Sequence, residues 1–564
     1  MHFDRSAPLV LLLVLVLVLA CTGCAAPFRS FPLAEPMWRD DDMQPFEARP
    51  ALIYNPWAWD AIDNTVFRQV SETFTYERDR EATNVNALDE VPDSSWFINR
   101  IGRTPMSEDD LARGACRETA APPPPWFVTH SKPNGSSPGL VIRSGDGRTF
   151  LFKVDFAQPE RATAADAIAS RLFHAAGYFV PCNRVIHFVP DDFVLAEDAR
   201  TSGPTPRPLV WADVMNVLEQ AGPAPHGRRR GSLSEYIDGV PLGGWRFDGQ
   251  RDDDPNDAIP HQRRREVRGM YVLSAWLNHI DARAENNMDS WIEVAPGRGY
   301  LRHYVLDTGD SFGIVWPVDA ALSRRFGFSH YLDFEQVGVD FLTLGMLPRP
   351  YDESPERPES PTFGFFSTYD FVPDQWRNGY PNPGFERRTE RDMAWMARII
   401  ARIDERALEV VVRQGHWSNA ALEGELLSTL TVRRQRILER WLTRLSPLAW
   451  PTARRVHDDI VVCLEDMAIT SGLRAMATRH YDASVYRGVP PMAADIPEVV
   501  VFNGRPCAIV HAPVGPRDTY WVLDVIAESE AAERAAPARV HLYALASGEV
   551  RVAGLERPDS EGAP

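Results

Sequence analysis

His279-Ile280-Asp281-Ala282-Arg283-Ala284-Glu285-Asn286, followed 21 residues later by Asp307-Thr308-Gly309, is the stretch on which the reading of this chain turns. It sets two carboxylates and one amide at a spacing suited to phosphoryl transfer. A phosphoryl group in flight spreads negative charge over its oxygens, so its catalysts mostly position and neutralise. One carboxylate has to orient, or accept the proton of, an attacking hydroxyl. A second has to hold Mg²⁺, and an amide oxygen five residues beyond the first carboxylate reaches the same ion. Asp281, Asp307 and Asn286 fit these three roles in that order. Mg²⁺ keeps several waters and takes few protein ligands, so two protein oxygens suffice.

The elements needed to carry these side chains are readable in the flanking sequence. Thr149-Phe150-Leu151-Phe152-Lys153-Val154 is a short apolar and aromatic run, the pattern of a buried strand. A lysine inside such a strand is costly unless its ammonium meets an anion. The segment from Asn134 through Gly135 and Gly139 to Ile142 is a glycine-containing turn leading into a strand, whose backbone N–H groups can approach phosphates closely. Ala162 to Ala176 reads as a helix stopped by Gly177, with Asp166 inside it. Arg263 to Asn278 carries Val267, Met270, Tyr271, Ser274 and Leu277 near helical spacing and delivers the chain to His279. Ser290 to Val294 and Tyr300 to Leu306 read as a hairpin that returns it to Asp307.

Residues 279–286 resemble the protein-kinase catalytic loop His-Arg-Asp-Leu-Lys-x-x-Asn, and Asp307-Thr308-Gly309 resembles the Asp-Phe-Gly magnesium loop. The same Asp-to-Asn spacing occurs in HipA-type toxin kinases and phosphoinositide kinases, which fit better than the regulated protein kinases. The likeness covers roughly Ser131 to Leu445, and Arg283 stands where the loop carries a lysine. Ile280 replaces the loop arginine, which removes the partner of an activation-loop phosphate. Thr308 replaces the phenylalanine, so control by a flipping ring is not expected. The resemblance implies an α+β, bilobal kinase-like fold that uses ATP and Mg²⁺. It implies that Lys153 steadies the nucleotide phosphates with Asp166 behind it, a position where the kinases carry glutamate; Glu160 is the fallback. It further implies Asn286 and Asp307 as metal ligands, Asp281 as the residue that orients the acceptor hydroxyl, and His279 as a support for the loop. Backbone groups of Glu235, Tyr236 and Ile237 are expected to form the hinge that meets the adenine edge.

The N-terminus points to export. Leu9 to Leu19 is an unbroken apolar run, well short of the roughly 20 residues that span a bilayer. It follows Arg5 and precedes Ala20-Cys21-Thr22-Gly23-Cys24-Ala25, the pattern of a cleaved signal. Residues 1–24 resemble a bacterial lipoprotein signal, with Cys21 or Cys24 as the lipid-modified residue. A plain secretory signal or a single membrane anchor is the alternative. The implied location is the cell envelope, held by lipid and facing the periplasm or the surface. Four other cysteines, Cys116, Cys182, Cys463 and Cys507, allow three pairings in an exported chain. Cys463 and Cys507 sit in β-like runs and suit neighbouring strands; free buried thiols are equally compatible.

With 564 residues the chain has room for two or three domains, and a formal net charge of −18 argues against a general nucleic-acid binder. The expected division is a signal (1–24), an N-terminal extension packed on the small lobe (25–125), a β-rich small lobe (126–240), a helical lobe (241–447) and a C-terminal β domain (451–564). Thr389 to Arg413 and Ala420 to Leu445 read as long amphipathic helices. Val499 to Phe502, Ala508 to His511, Tyr520 to Ile526, Val540 to Leu545 and Glu549 to Val552 read as strands of a small sandwich.

These readings converge on an envelope-anchored, ATP- and Mg²⁺-dependent phosphotransferase whose acceptor is a hydroxyl, a protein Ser/Thr first by resemblance. The alternative is a catalytically inactive binding or scaffolding lipoprotein on the same fold. A third reading is a structural envelope protein whose acidic turns bind Ca²⁺.

Overall fold

Period-2 alternation along Thr149–Lys153 decides where the lysine goes: Phe150 and Phe152 are fully buried on one face, and Leu151 and Lys153 point to the other. In the computed structural model, which describes residues 29–74, 81–133, 135, 137–155, 160–313, 324–349, 360–494, 496–529 and 536–558, this strand lies inside a six-stranded sheet. The expected signal and both candidate lipidation sites, Cys21 and Cys24, lie outside the described residues. Among the described residues no helix is long and apolar enough to cross a membrane.

The chain is a mixture of α and β elements. A two-residue strand β1 (Phe46–Glu47) precedes the sheet strands β2 (Trp126–Ser131), β3 (Gly139–Arg143), β4 (Thr149–Lys153), β5 (Asn183–Phe188), β6 (Phe193–Arg200) and β7 (Arg229–Glu235). They run in the order β5-β7-β4-β3-β2-β6, antiparallel except for the β2–β6 pair. One face buries Trp126, Phe150, Phe152, Phe188, Phe193 and Leu233 in an aromatic cluster. The helix Arg161–Ala176 packs against β5 and ends at Gly177, whose φ of 134° and contact with the Phe97 ring leave no space for a side chain.

The helix Arg265–Leu277 is buried on all sides and packs against the helices Glu390–Ala401 and Ala420–Leu442. Trp276, Trp395 and Trp441 are fully buried in this core, each of an order that costs about 3–5 kcal/mol on truncation to alanine. The last turn leaves its carbonyls without helical partners. Arg433 answers this by donating to Ala275 O (2.6 Å) and Trp276 O (2.9 Å). Asn278 then adopts a left-handed conformation (φ 55°) and turns the chain into 279–286. Strands β9 (Asn287–Ala295) and β10 (Arg298–Val305) follow as the expected hairpin, and with β8 (Val240–Pro241), which precedes the helix in the chain, they form a sheet of order β1-β10-β9-β8. The stretch 389–413 is not one helix. It breaks at Arg402–Asp404, where the Asp404 carboxylate accepts from Ala407 N–H (2.8 Å) and starts a second helix, Glu405–Val412. The helix expected to reach Leu445 ends at Leu442.

After Leu442 the chain is mainly β. Strands β11 (Leu448–Val456), β12 (Asp459–Asp466), β13 (Arg479–Arg487), β14 (Met492–Ala493), β15 (Glu498–Phe502), β16 (Arg505–His511), β17 (Thr519–Ser529), β18 (Ala538–Ala544) and β19 (Val550–Glu556) form two sheets, β11-β12-β16-β15 and β14-β13-β17-β18-β19. One apolar cluster, including Ile460, Leu464, Leu523 and Val540, is shared between them. The cysteines pair as Cys116–Cys182 and Cys463–Cys507, the second across the facing register positions of β12 and β16.

The segment before β2 makes contacts beyond the six-stranded sheet on which it was expected to pack. Trp96 stacks on His303 of β10 (3.6 Å between centroids) and meets Trp245 edge-on. Ile53 N–H donates to Leu242 O, Thr83 N–H to Arg263 O, and Leu555 N–H to Ala87 O. Asp89 is its most connected residue. Its carboxylate meets Arg265 of the buried helix, Arg398 (3.6 Å) and Arg557 beyond β19 (2.6 Å). Burial opposes ionisation there, yet three guanidiniums hold Asp89 down at about 2. An extension rich in buried aromatics and acids finds its partners where apolar surface and arginines are offered, on the helices and the hairpin.

Candidate active site

The two turns singled out by sequence are joined through one carbonyl. Asn286 O accepts from Leu306 N–H (2.8 Å) and from Asp307 N–H (3.3 Å), so the end of the first turn and the start of the second lie side by side. Both open into a cavity of about 840 Å³ that also receives Lys153, Asp166 and the 235–237 segment.

Lys153 projects from β4 into this cavity. Its ammonium donates to Asp166 Oδ2 (2.9 Å) and lies 3.7 Å from Asp307 Oδ2. Burial alone would lower its pKa, but the two carboxylates raise it above the usual lysine value. Burial pushes Asp166 up to about 6, against the pull of Lys153. Asp166 is the lysine's partner and Glu160 is not: Glu160 Oε2 accepts from Ser418 N–H. Burial also disfavours the charge on Asp307, but the Lys153 ammonium and the Gly309 N–H (3.1 Å) hold its carboxylate below the usual range. Gly309 passes between the two acids, where a Cβ would stand 3.1 Å from Asp166 Oδ1 and 3.2 Å from Asp307 Oδ1.

Asp281 is nearly buried. Its Oδ2 accepts from Asn286 Nδ2 (2.9 Å) and faces Arg283 Nη2 (3.2 Å), whereas its buried Oδ1 has no hydrogen-bond partner among the described residues. Burial drives Asp281 up to about 6; Arg283 opposes the shift and Asp310 adds to it. A buried acceptor left open is costly unless a donor arrives, and a hydroxyl is such a donor. Asn286 spends its amide N–H groups on Asp281 O (2.7 Å) and Oδ2, which leaves its own Oδ1 without a hydrogen bond among the described residues. That oxygen and the half-exposed Asp307 carboxylate form a hard two-oxygen set of the kind Mg²⁺ takes along with water and phosphate. Among the described residues no cluster of three or more His, Cys, Asp or Glu side chains suited to a metal ion occurs. The wall carries seven carboxylates, Asp155, Asp166, Glu235, Asp281, Glu285, Asp307 and Asp310, against Lys132, Lys153 and Arg283. An anionic ligand entering so acidic a cavity needs accompanying cations.

At 235–237 the backbone is partly spoken for. Glu235 N–H donates to Cys182 O (2.9 Å) and Tyr236 N–H to Thr149 O (3.0 Å), while Ile237 N–H donates to no protein group among the described residues. Leu151, Met288 and Leu306 add apolar surface to the same cavity. Gly135 lines it, but Gly139 does not. Gly139 is a position in β3 where a Cβ would fall 2.4 Å from Phe152 O, so strand packing, not an approach to phosphate, requires it.

Sequence reasoning missed three contributors. Asp310 Oδ1 bonds His279 Nδ1 (2.5 Å) and its Oδ2 accepts from Asp281 N–H (3.0 Å), so it fixes the loop from below. The run Asp307-Thr308-Gly309-Asp310 carried that signal in plain sight. Tyr54, with Leu52 and Asn55, lines the cavity from the N-terminal segment, and its hydroxyl donates to Glu285 Oε1 (2.8 Å). Lys132 also lines the cavity. Its signal was composition: of 60 lysines and arginines in the chain only two, Lys132 and Lys153, are lysines.

No protein-family model matches the chain, and no curated protein sequence matches it. Among solved structures it resembles the Helicobacter pylori proinflammatory kinase CtkA, at 10% identity and a TM-score of 0.26 over 56% of this chain and 98% of that one. It also resembles the twitchin kinase region of C. elegans, at 9% identity and a TM-score of 0.23 over 75% of each chain. Titin kinase with its flanking domains gives 8% identity and a TM-score of 0.16 over 72% of each.

Proposed function

We propose that this protein is a kinase-like phosphotransferase that binds ATP with Mg²⁺ and passes a phosphoryl group to a hydroxyl. The observation that carries the proposal is one cavity in which a lysine is ion-paired to Asp166 and Asp307 while Asp281 holds, beside Asn286, a buried oxygen with no partner among the described residues.

In this reading Lys153 binds the phosphates nearest the nucleoside, and Asp166 fixes its ammonium. Asn286 Oδ1 and the Asp307 carboxylate hold the cation, which when bound neutralises charge on the phosphate oxygens. Asp281 Oδ1 accepts the hydrogen bond of the incoming hydroxyl and aligns its oxygen. Its burial raises its basicity toward that of a proton acceptor working near neutral pH. Asp310 and His279 keep the loop in place. Ile237 N–H, which has no protein acceptor among the described residues, donates to the base. The six-stranded sheet with its helix, residues 126–240, acts as the small lobe, 241–447 as the helical lobe, and 451–564 as a separate β domain. The acceptor is a protein Ser/Thr hydroxyl, and the chain is tethered to the cell envelope through Cys21 or Cys24.

The test is thermal shift of the purified protein with ATP and Mg²⁺ or Mn²⁺, with Asp307→Ala as the control. A nucleotide-dependent rise that Asp307→Ala abolishes supports the proposal. No shift at millimolar nucleotide refutes it. Binding without any transfer detectable by mass spectrometry leaves the inactive binding lipoprotein as the correct reading.

A further inference from the structure

The chain uses arginine for nearly every cation, yet its two lysines line the same cavity. Lys132 follows β2 and lies across the loop that leads to β3. Its Nζ donates to Ser137 O (2.9 Å). Gly135 makes way for it, since a Cβ there would stand 2.9 Å from Nζ, and a Cβ at Gly139, already excluded by Phe152 O, would also stand 3.1 Å from the lysine Cδ. The glycines that read as a backbone cradle for phosphate therefore flank a lysine side chain.

We propose that Lys132 is a second phosphate-binding residue, which with Lys153 clamps the polyphosphate of the nucleotide from the loop side. This rests on the nucleotide reading of the cavity and deepens it. Lys132 and Lys153 share that cavity; Asp166 and Asp307 more than offset the burial of Lys153, but at Lys132 they offset burial and the repulsion of Lys153 only in part. Two ammoniums facing one space are stable together when an anion lies between them. Burial and the Lys153 charge bring Lys132 down to about 8, which accords with a group lacking a full counter-charge of its own. Lysine suits the task better than the arginine used elsewhere, because its compact, rotatable ammonium can follow a phosphate chain where a planar guanidinium fixes one geometry. With the wall predominantly acidic, the second ammonium also supplies charge that Lys153, already committed to Asp166, cannot.

The rarity of lysine makes the test direct. The full chain, purified in detergent, is acetylated with an amine-reactive ester, and its two lysines are mapped by mass spectrometry. ATP–Mg²⁺ and inorganic tripolyphosphate–Mg²⁺ are expected to protect Lys132 at least tenfold, and adenosine is expected not to. In calorimetric titration, Lys132→Met is expected to weaken both polyphosphate ligands at least tenfold and adenosine less than twofold, with Lys132→Arg recovering part of the loss. Wild-type protein that binds ATP–Mg²⁺ while Lys132→Met binds it within twofold, or while Lys132 remains equally reactive, overturns the role of Lys132 and leaves the nucleotide reading intact. Wild-type protein that binds neither nucleotide nor tripolyphosphate overturns both.

Discussion

Replacing Asp281 by asparagine should make the protein more stable and less active at the same time, and the stability gain should depend on pH. Asp281 is buried and its carboxyl is raised from 3.8 to about 6, with Arg283 opposing the shift. The folded state therefore takes up a proton at higher pH than the unfolded chain does. The stability this group supplies is fully present below about pH 4, and it is lost as pH rises through 6. The difference of about two pKa units corresponds to about 3 kcal/mol of destabilisation by the ionised form at pH 8, and about half of that at pH 5. Asparagine removes the charge but keeps a hydrogen-bonding side chain beside Asn286. It also strips Arg283 of a partner 3.2 Å away, which offsets part of the gain. A net rise of the unfolding midpoint of about 3–6 °C at pH 8 follows for a cooperative unit of 150–250 residues. Differential scanning calorimetry of both proteins at pH 5 and pH 8 measures it. Nucleotide binding should persist, and transfer should fall by about 10²–10⁴-fold. A variant that melts lower than wild type at pH 8, or a difference equal at the two pH values, would refute the claim that Asp281 is held ionised against its surroundings.

Three further outcomes follow from the same geometry. Asp166→Asn leaves the buried Lys153 ammonium with only the half-exposed Asp307 at 3.7 Å; a stability loss approaching about 3 kcal/mol is expected, together with weaker nucleotide binding, and the double variant with Lys153→Met should recover most of the stability in chemical denaturation. Asp310→Asn weakens the bond to His279 and the grip on Asp281 N–H; transfer should drop while the nucleotide dissociation constant, read by calorimetry, changes little. Thiol titration of the denatured, unreduced chain should find Cys116, Cys182, Cys463 and Cys507 all unreactive, and Cys116→Ser with Cys182→Ser should lower stability by about 2–4 kcal/mol.

Much of the site was legible because short, local rules govern it. The strand Thr149–Lys153 announces itself as a short apolar and aromatic run, the hairpin after Asn286 by paired β-branched and aromatic runs, and the helix Arg161–Ala176 by its glycine stop. What was not legible depends on contacts between distant residues. The break at Arg402–Asp404 is hidden because Thr389 to Arg413 keeps a helical apolar period on both sides of it, and only the Asp404 cap interrupts the backbone. Gly139 looks the same in sequence whether it serves a ligand or the neighbouring Phe152 carbonyl. The arginine partners of Asp89 lie 176, 309 and 468 residues away in sequence, and no spacing rule reaches that far.

Asp89 also sets a schedule. The helix that leads into residues 279–286 is fastened to this carboxylate through Arg265, and the same carboxylate meets Arg557, which a ribosome adds after every residue of the candidate site. A growing chain can complete the sheet bearing Lys153 and both acidic turns, yet still lack one of the three guanidiniums that meet Asp89. A chain truncated before residue 557 should therefore carry every residue of the candidate site while lacking one of the three guanidiniums that meet Asp89 beside the helix that aims it.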